Sequence, residues 1–106
     1  MMLLATRWWE PACGGRKPYM VGHDITPPRV ARRVEPAWPK PHVKGIVIVE
    51  TVITEAGDVC AARVLKTPSA AMGAAAVRAV TRWRFVPARK GGRAVAVVFD
   101  VAVGRR

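Results

Sequence analysis

Ile46–Thr54 reads IVIVETVIT, Val59–Lys66 reads VCAARVLK, and Glu55-Ala-Gly57-Asp58 lies between them. The first run is β-branched and almost continuously apolar. That pattern suits a strand with neighbours on both sides and cover on at least part of each face. Gly57 can take a positive φ, and the residues around it are turn formers. The two runs therefore predict an antiparallel hairpin.

Working C-terminally, Pro68 and Ser69 punctuate the chain, and Ser69 is placed to cap a helix over Ala70–Arg84. Met72, Ala76, Val80 and Trp83 recur at helical spacing and form its core stripe, while Arg78 and Arg82 fall on the solvent side. Gly73 weakens the first turns by roughly 1 kcal/mol relative to alanine. Phe85-Val86-Pro87 ends the helix and Lys90-Gly91-Gly92-Arg93 is a turn. Ala94–Val103 then alternates with a period of two: Val95, Val97, Phe99, Val101 and Val103 share one face. Direction alone makes this third strand antiparallel to the first. The expected fold is α+β: a three-stranded antiparallel sheet of order 2-1-3 with one main helix on one face. Its third strand is an edge, long and nearly uncharged, which seeks a partner.

Working N-terminally, seven of the nine prolines lie at or before Pro41, so this half cannot hold a long helix or a central strand. Residues 1–28 read as a mostly irregular leader, with disorder left open, and 29–106 as the domain. Pro36-Ala-Trp38-Pro39-Lys-Pro41 reads as extended or polyproline-II chain, and a short strand near Arg29–Val34 is compatible with the pattern. The apolar start Met1–Ala5 is broken by Arg7 and Glu10, so it lacks a secretory h-region. Taken literally, the chain stays in the cytoplasm.

With 106 residues there is room for one small domain, and no apolar run approaches the roughly 18 residues of a spanning helix. Lys plus Arg total 18 against 7 acidic residues, a net charge of +11 that favours anionic or acidic partners. One serine and two histidines leave most nucleophile–base schemes without parts, so no enzyme is expected. Cys13, His23, His42 and Cys60 lack close paired spacing, which argues against a metal site, and no cofactor is expected. Two cysteines make no disulfide framework, and one bridge between them is left open. Cys60, inside a strand, reads as a small buried hydrophobe.

The order Val34-Glu-Pro-Ala-Trp38-Pro39, Gly45-Ile-Val-Ile-Val-Glu, Gly57-Asp-Val, Arg63-Val-Leu65, Ala75-Ala-Val-Arg-Ala-Val80, Arg82-Trp-Arg-Phe-Val-Pro87-Ala and the strand Val95–Val103 resembles the C-terminal domain of TonB-type energy transducers. Val21–Val30 looks like the lead-in of such domains, so the resemblance spans about residues 21–103. Two features depart from the family pattern. Trp38 stands where the family has tyrosine, and only Lys40–Lys44 separate Pro39 from Gly45. The membrane-spanning helix and proline-rich span of a full transducer do not precede the domain in this sequence. The resemblance therefore implies a fragment or an orphan domain, with an ExbB/ExbD-like motor as partner only if an anchor exists.

The resemblance implies a protein-interaction domain in the periplasm that binds the docking peptide of an outer-membrane transporter by β-strand addition. Carried over, the partner-binding residues are Arg33, Val34, Glu35, Pro36, Ala37 and Trp38, together with Val95, Val97, Phe99, Val101 and Val103 of the edge strand. Met72, Val80, Trp83 and Phe85 read as structural core. The alternative is a basic adaptor for nucleic acid or an acidic surface, using Arg78, Arg82, Arg84, Arg89, Lys90 and Arg93 with Arg105 and Arg106. Against it, only Phe99 puts an aromatic ring on a strand. A homodimer through strand 95–103 is the third reading.

Overall fold

The Gly45 run is a nine-residue strand with a partner along each side. In the computed structural model, which describes residues 8–14, 17–40 and 44–105, it is the spine of the molecule. The elements in chain order are α1 (Glu10–Cys13), β1 (Tyr19–Met20), β2 (Ile25–Thr26), β3 (Arg29–Arg32), β4 (Gly45–Ile53), β5 (Val59–Lys66), α2 (Ala70–Val80), β6 (Arg84–Val86), β7 (Ala88–Lys90), β8 (Arg93–Val95) and β9 (Val97–Arg105). β4 pairs antiparallel with β5 from Ile48↔Lys66 to Ile53↔Val59, with two register shifts. It pairs antiparallel with β9 without a break from Gly45↔Arg105 to Ile53↔Val97.

The sheet is not the expected three-stranded one. Its order is β1-β9-β4-β5, because the leader adds a parallel strand outside β9. Two small sheets accompany it, β2-β7-β8 and β3-β6. The leader, read as mostly irregular, carries three short elements among its described residues: 8–14 and 17–28 supply α1, β1 and β2. Proline limits these pieces to two to four residues rather than excluding them. Met1–Ala5, Pro41 and His42 lie outside the described residues.

Helix α2 starts where Ser69 predicts. The serine is extended (φ −152°), and its Oγ accepts from the Met72 amide at 3.1 Å. It ends at Val80, four residues before Arg84, because the following residues have a better use. Arg84–Val86 pairs antiparallel with β3, and Phe85 is drawn into the core as a strand residue. The Arg84 guanidinium pairs with Asp58 in the β4–β5 turn. The turn at Lys90–Arg93 closes a second hairpin, β7–β8, with Gly91 and Gly92 both at positive φ (57° and 78°), as a tight type I′ turn needs.

Period two divides the main sheet's side chains. Val47, Val49 and Ile53 of β4 and Val97, Val101 and Val103 of β9 pack under α2 against Met72, Ala76, Val80, Trp83 and Phe85. The other face holds a smaller cluster, Val52, Ala61 and Val98, covered by Trp8, Trp9 and the cysteines. Cys13 and Cys60 are joined in a disulfide. Cys60 is therefore not the free buried hydrophobe its sequence context predicts.

Gly57 is the tightest point of the β4–β5 turn. Its φ is +87°, its carbonyl accepts from the Phe85 amide at 2.9 Å, and an added Cβ would run into the Phe85 carbonyl. Gly57→Ala should cost about 2–3 kcal/mol, from left-handed strain plus displacement of β6. Urea unfolding checks this, and a midpoint within error of wild type would contradict the turn geometry.

Candidate functional site: the outer edge of β9

In a strand, successive residues point their main-chain N–H and C=O groups alternately to the two sides. The Tyr19 amide of β1 donates to the Ala96 carbonyl at 2.9 Å, so even-numbered residues here face away from β4. The Thr51 hydroxyl donates to the Phe99 carbonyl at 2.6 Å, which confirms that odd-numbered residues face β4. β1 pairs only with Val97 and Val98. The N–H and C=O groups of Asp100, Ala102 and Gly104 therefore have no protein partner among the described residues. They form a row about 14 Å long at ordinary strand rise. Such a row is a template for another strand.

The edge-strand expectation is thus corrected at one end and kept open at the other. Val95 does not belong to this strand: it closes β8 and pairs with Ala88. Val97 lies beside β1. Val95, Val97, Val101 and Val103 are buried in the main core and Phe99 is half-buried against it, edge-on to Phe85 at 6.4 Å between ring centroids. None of the four buried valines presents a side chain outward. What the strand can offer a partner is its main chain and the even-numbered side chains on the second face.

On that second face Asp100 lies directly opposite Glu50 of β4. Partial burial, then the Glu50 carboxylate, raise the Asp100 pKa, and Arg63 opposes them. Arg63 is engaged elsewhere, at 2.7 Å from Glu50. A carboxyl raised in the fold is destabilising once ionised. Stability should therefore fall as pH rises from the ordinary value near 3.8 through the raised one. Asp100→Asn should remove this slope and, because Asp100 is exposed and solvent screens its repulsion from Glu50, stabilise the protein at pH 7 by only about 0.2–0.5 kcal/mol. Thermal melts at pH 4 and pH 7 of both forms test it.

Arg33–Trp38 lies in the helix layer. Trp83 Nε1 donates to the Val34 carbonyl at 2.8 Å, and the Arg33 guanidinium sits 5.0 Å from the Trp83 ring centroid. Arg33 also pairs with Glu35 at 3.2 Å. Pro36 is buried, Trp38 is half-buried against the core, and Glu35 and Ala37 are exposed. Val34 and Ala37 face Ala75, Arg78 and Arg82 of the helix region across an open groove. No hydrogen bond, ion pair or ring contact among the described residues links this segment to β9. The expected site therefore consists of two surfaces. Met72, Val80, Trp83 and Phe85 are all buried together, as core.

A protein-family model described as the Gram-negative bacterial TonB protein C-terminal matches residues 40–103. The chain belongs to the TonB C-terminal domain family. The match opens just after Arg33–Trp38, later than the resemblance from residue 21 suggests. No curated protein matches the chain. Membership makes this a transducer-type domain of the class that interacts with outer-membrane transporters, a class of protein-interaction domains rather than enzymes. C-terminal domains of TonB are periplasmic, and no helix among the described residues is long and apolar enough to cross a membrane.

The leader's part in this TonB-type sheet is what sequence reasoning missed. One signal was available: the only two cysteines lie 47 residues apart, one in the leader and one in the hairpin.

Proposed function

We propose that this TonB-type domain docks an extended segment of an outer-membrane transporter along β9, as an added strand. The observation that carries the reading is the row of unpartnered main-chain groups at Asp100, Ala102 and Gly104. Affinity in this mode comes from main-chain pairing, and selectivity from alternate side chains of the guest. Asp100 would favour a cationic or polar guest residue beside it. Arg33, Glu35 and Ala37, with the neighbouring Arg78 and Arg82, would meet the portion of the transporter beyond the docked strand. The segment is already tethered by Trp83 through the Val34 carbonyl, so little entropy is lost in using it.

A periplasmic location agrees with the Cys13–Cys60 bond, because disulfides persist in oxidising compartments and are rare in the cytosol. An ExbB/ExbD-like motor would be a partner of a membrane-anchored form. Strand exchange between two copies along β9 is the competing use of the same edge.

Ala102→Pro tests the reading. The proline removes one outward N–H and leaves the β4 ladder intact, and edge positions tolerate it. Docking-segment peptides of outer-membrane transporters should bind wild type and perturb the amides of Asp100, Ala102 and Gly104 in NMR titrations. The variant should bind at least about tenfold more weakly, from one lost main-chain bond and a poorer fit along the rest. Equal binding by both forms rules out docking on this edge.

A further inference from the structure

We propose that Tyr19–Met20 is a built-in occupant of the receiving edge, latched there by the Cys13–Cys60 bond, and that releasing it extends the edge open to a guest strand back to Val98. This rests on the reading of β9 as the receiving edge and concerns how that edge is regulated.

The leader's path makes the case. Trp8 and Trp9 pack on the second face of the sheet, with Arg63 lying 4.6 Å from the Trp8 ring centroid. Cys13 is then bonded to Cys60 on β5. Six residues later Tyr19 is on the far side of β9, at the opposite rim of the sheet. Crossing from β5 to the β1 position takes three strand spacings, about 14 Å. Six residues reach at most about 20 Å, which spans that distance and holds Tyr19 within a short radius of Cys13. A tether of so few residues keeps Tyr19 at high effective concentration beside the edge.

The occupant itself is weak. It is two residues long, below what holds a strand by its own pairing. Tyr19 and Met20 are 41% and 70% exposed. The Tyr19 amide donates to the Ala96 carbonyl, and the Lys90 ammonium lies 4.6 Å from the Tyr19 ring centroid. Downstream the chain turns away at once, with the Ile25 amide donating to the Gly22 carbonyl, and Ile25 is buried. The strap is thus pinned at both ends and loosely held in the middle. It uses the same outward-facing groups, at Ala96 and Val98, that a longer guest would use. Such a contact lets the domain limit how much guest strand it accepts.

The test compares wild type, Tyr19→Pro, Met20→Pro and Cys13→Ser/Cys60→Ser. Tyr19→Pro removes the donor to Ala96 and leaves the disulfide intact, so any loss of fold in the double-serine form does not confuse the result. Met20→Pro is the control, because the Met20 amide points away from β9. The probe is a synthetic six-residue peptide alternating threonine and valine, capped at both ends. In the free protein, exchange of the Val98 amide should speed up about tenfold or more in Tyr19→Pro and in the double-serine form, and stay near wild type in Met20→Pro. Those two released forms should bind the probe at least about fivefold more tightly, with Val98 joining Asp100, Ala102 and Gly104 in the footprint. The same affinity and footprint in all four proteins would overturn the strap inference and leave the receiving edge standing. No binding at Asp100–Gly104 in any form would remove both.

Discussion

Replacing Trp83 by alanine should remove about 3–5 kcal/mol of stability, most of what a domain of this size possesses. Trp83 is 3% exposed and sits where the end of α2, the start of β6 and the Arg33–Trp38 segment meet. Three separate interactions end with it. Its ring fills the core beside Phe85, 6.2 Å between centroids. Its Nε1 holds the Val34 carbonyl, and its face carries the Arg33 guanidinium. Alanine leaves a cavity and also orphans a carbonyl that had a partner. Trp83→Phe separates the two effects: it keeps much of the volume and should lose about 1–2 kcal/mol, the part owed to the hydrogen bond. Denaturant unfolding of the three proteins gives both numbers. An unchanged midpoint for Trp83→Ala would falsify the placement of this residue as the junction of helix and segment.

Removing the disulfide should have a comparable effect through the unfolded state. The bond joins residues 47 apart in sequence. Closing a loop of that length restricts the unfolded chain by about 4 kcal/mol in the chain-entropy account. The double Cys13→Ser/Cys60→Ser variant should then melt roughly 15–30 °C lower, a large shift because small domains have small unfolding entropies. The loss should appear mostly as less stability with the β4–β5–β9 sheet retained in the folded fraction. Melting of the oxidised and dithiothreitol-treated wild-type protein provides a second measurement without mutation. A shift under a few degrees in both would mean that the leader and hairpin are already held together in the unfolded chain.

Much of the central sheet was legible because its signals are local. The run at Gly45–Ile53 is β-branched, Gly57 marks the turn, and Val97–Val103 alternates; each pattern is readable within ten residues. The start of α2 was legible for the same reason, since Ser69 caps its own neighbour. The helix end was not. Met72, Ala76, Val80 and Trp83 are at helical spacing whether or not the last turn forms, and what stops the helix at Val80 is pairing of Arg84–Val86 with Arg29–Arg32, more than 50 residues away in sequence. Two-residue strands such as Tyr19–Met20 and Ile25–Thr26 carry no periodicity at all, so only their partners define them.

The candidate site divides along the same line. Alternation showed which side chains of the last strand face the core, and it showed that a strand of this composition wants cover. It could not show that Val95 would be taken into β8, because the alternation passes through Ala96 without a change of phase. Nor could it show that the leader would return to cover Val97 and Val98.

By itself, the chain's order of residues determined a β-hairpin, a capped helix and an alternating final strand, because propensity, turn chemistry and period are properties of neighbours. Only the tertiary structure decided how much of that final strand stays open. Edge exposure depends on which distant segment arrives beside it, and here a disulfide and a buried isoleucine bring in a piece of chain too short to announce itself.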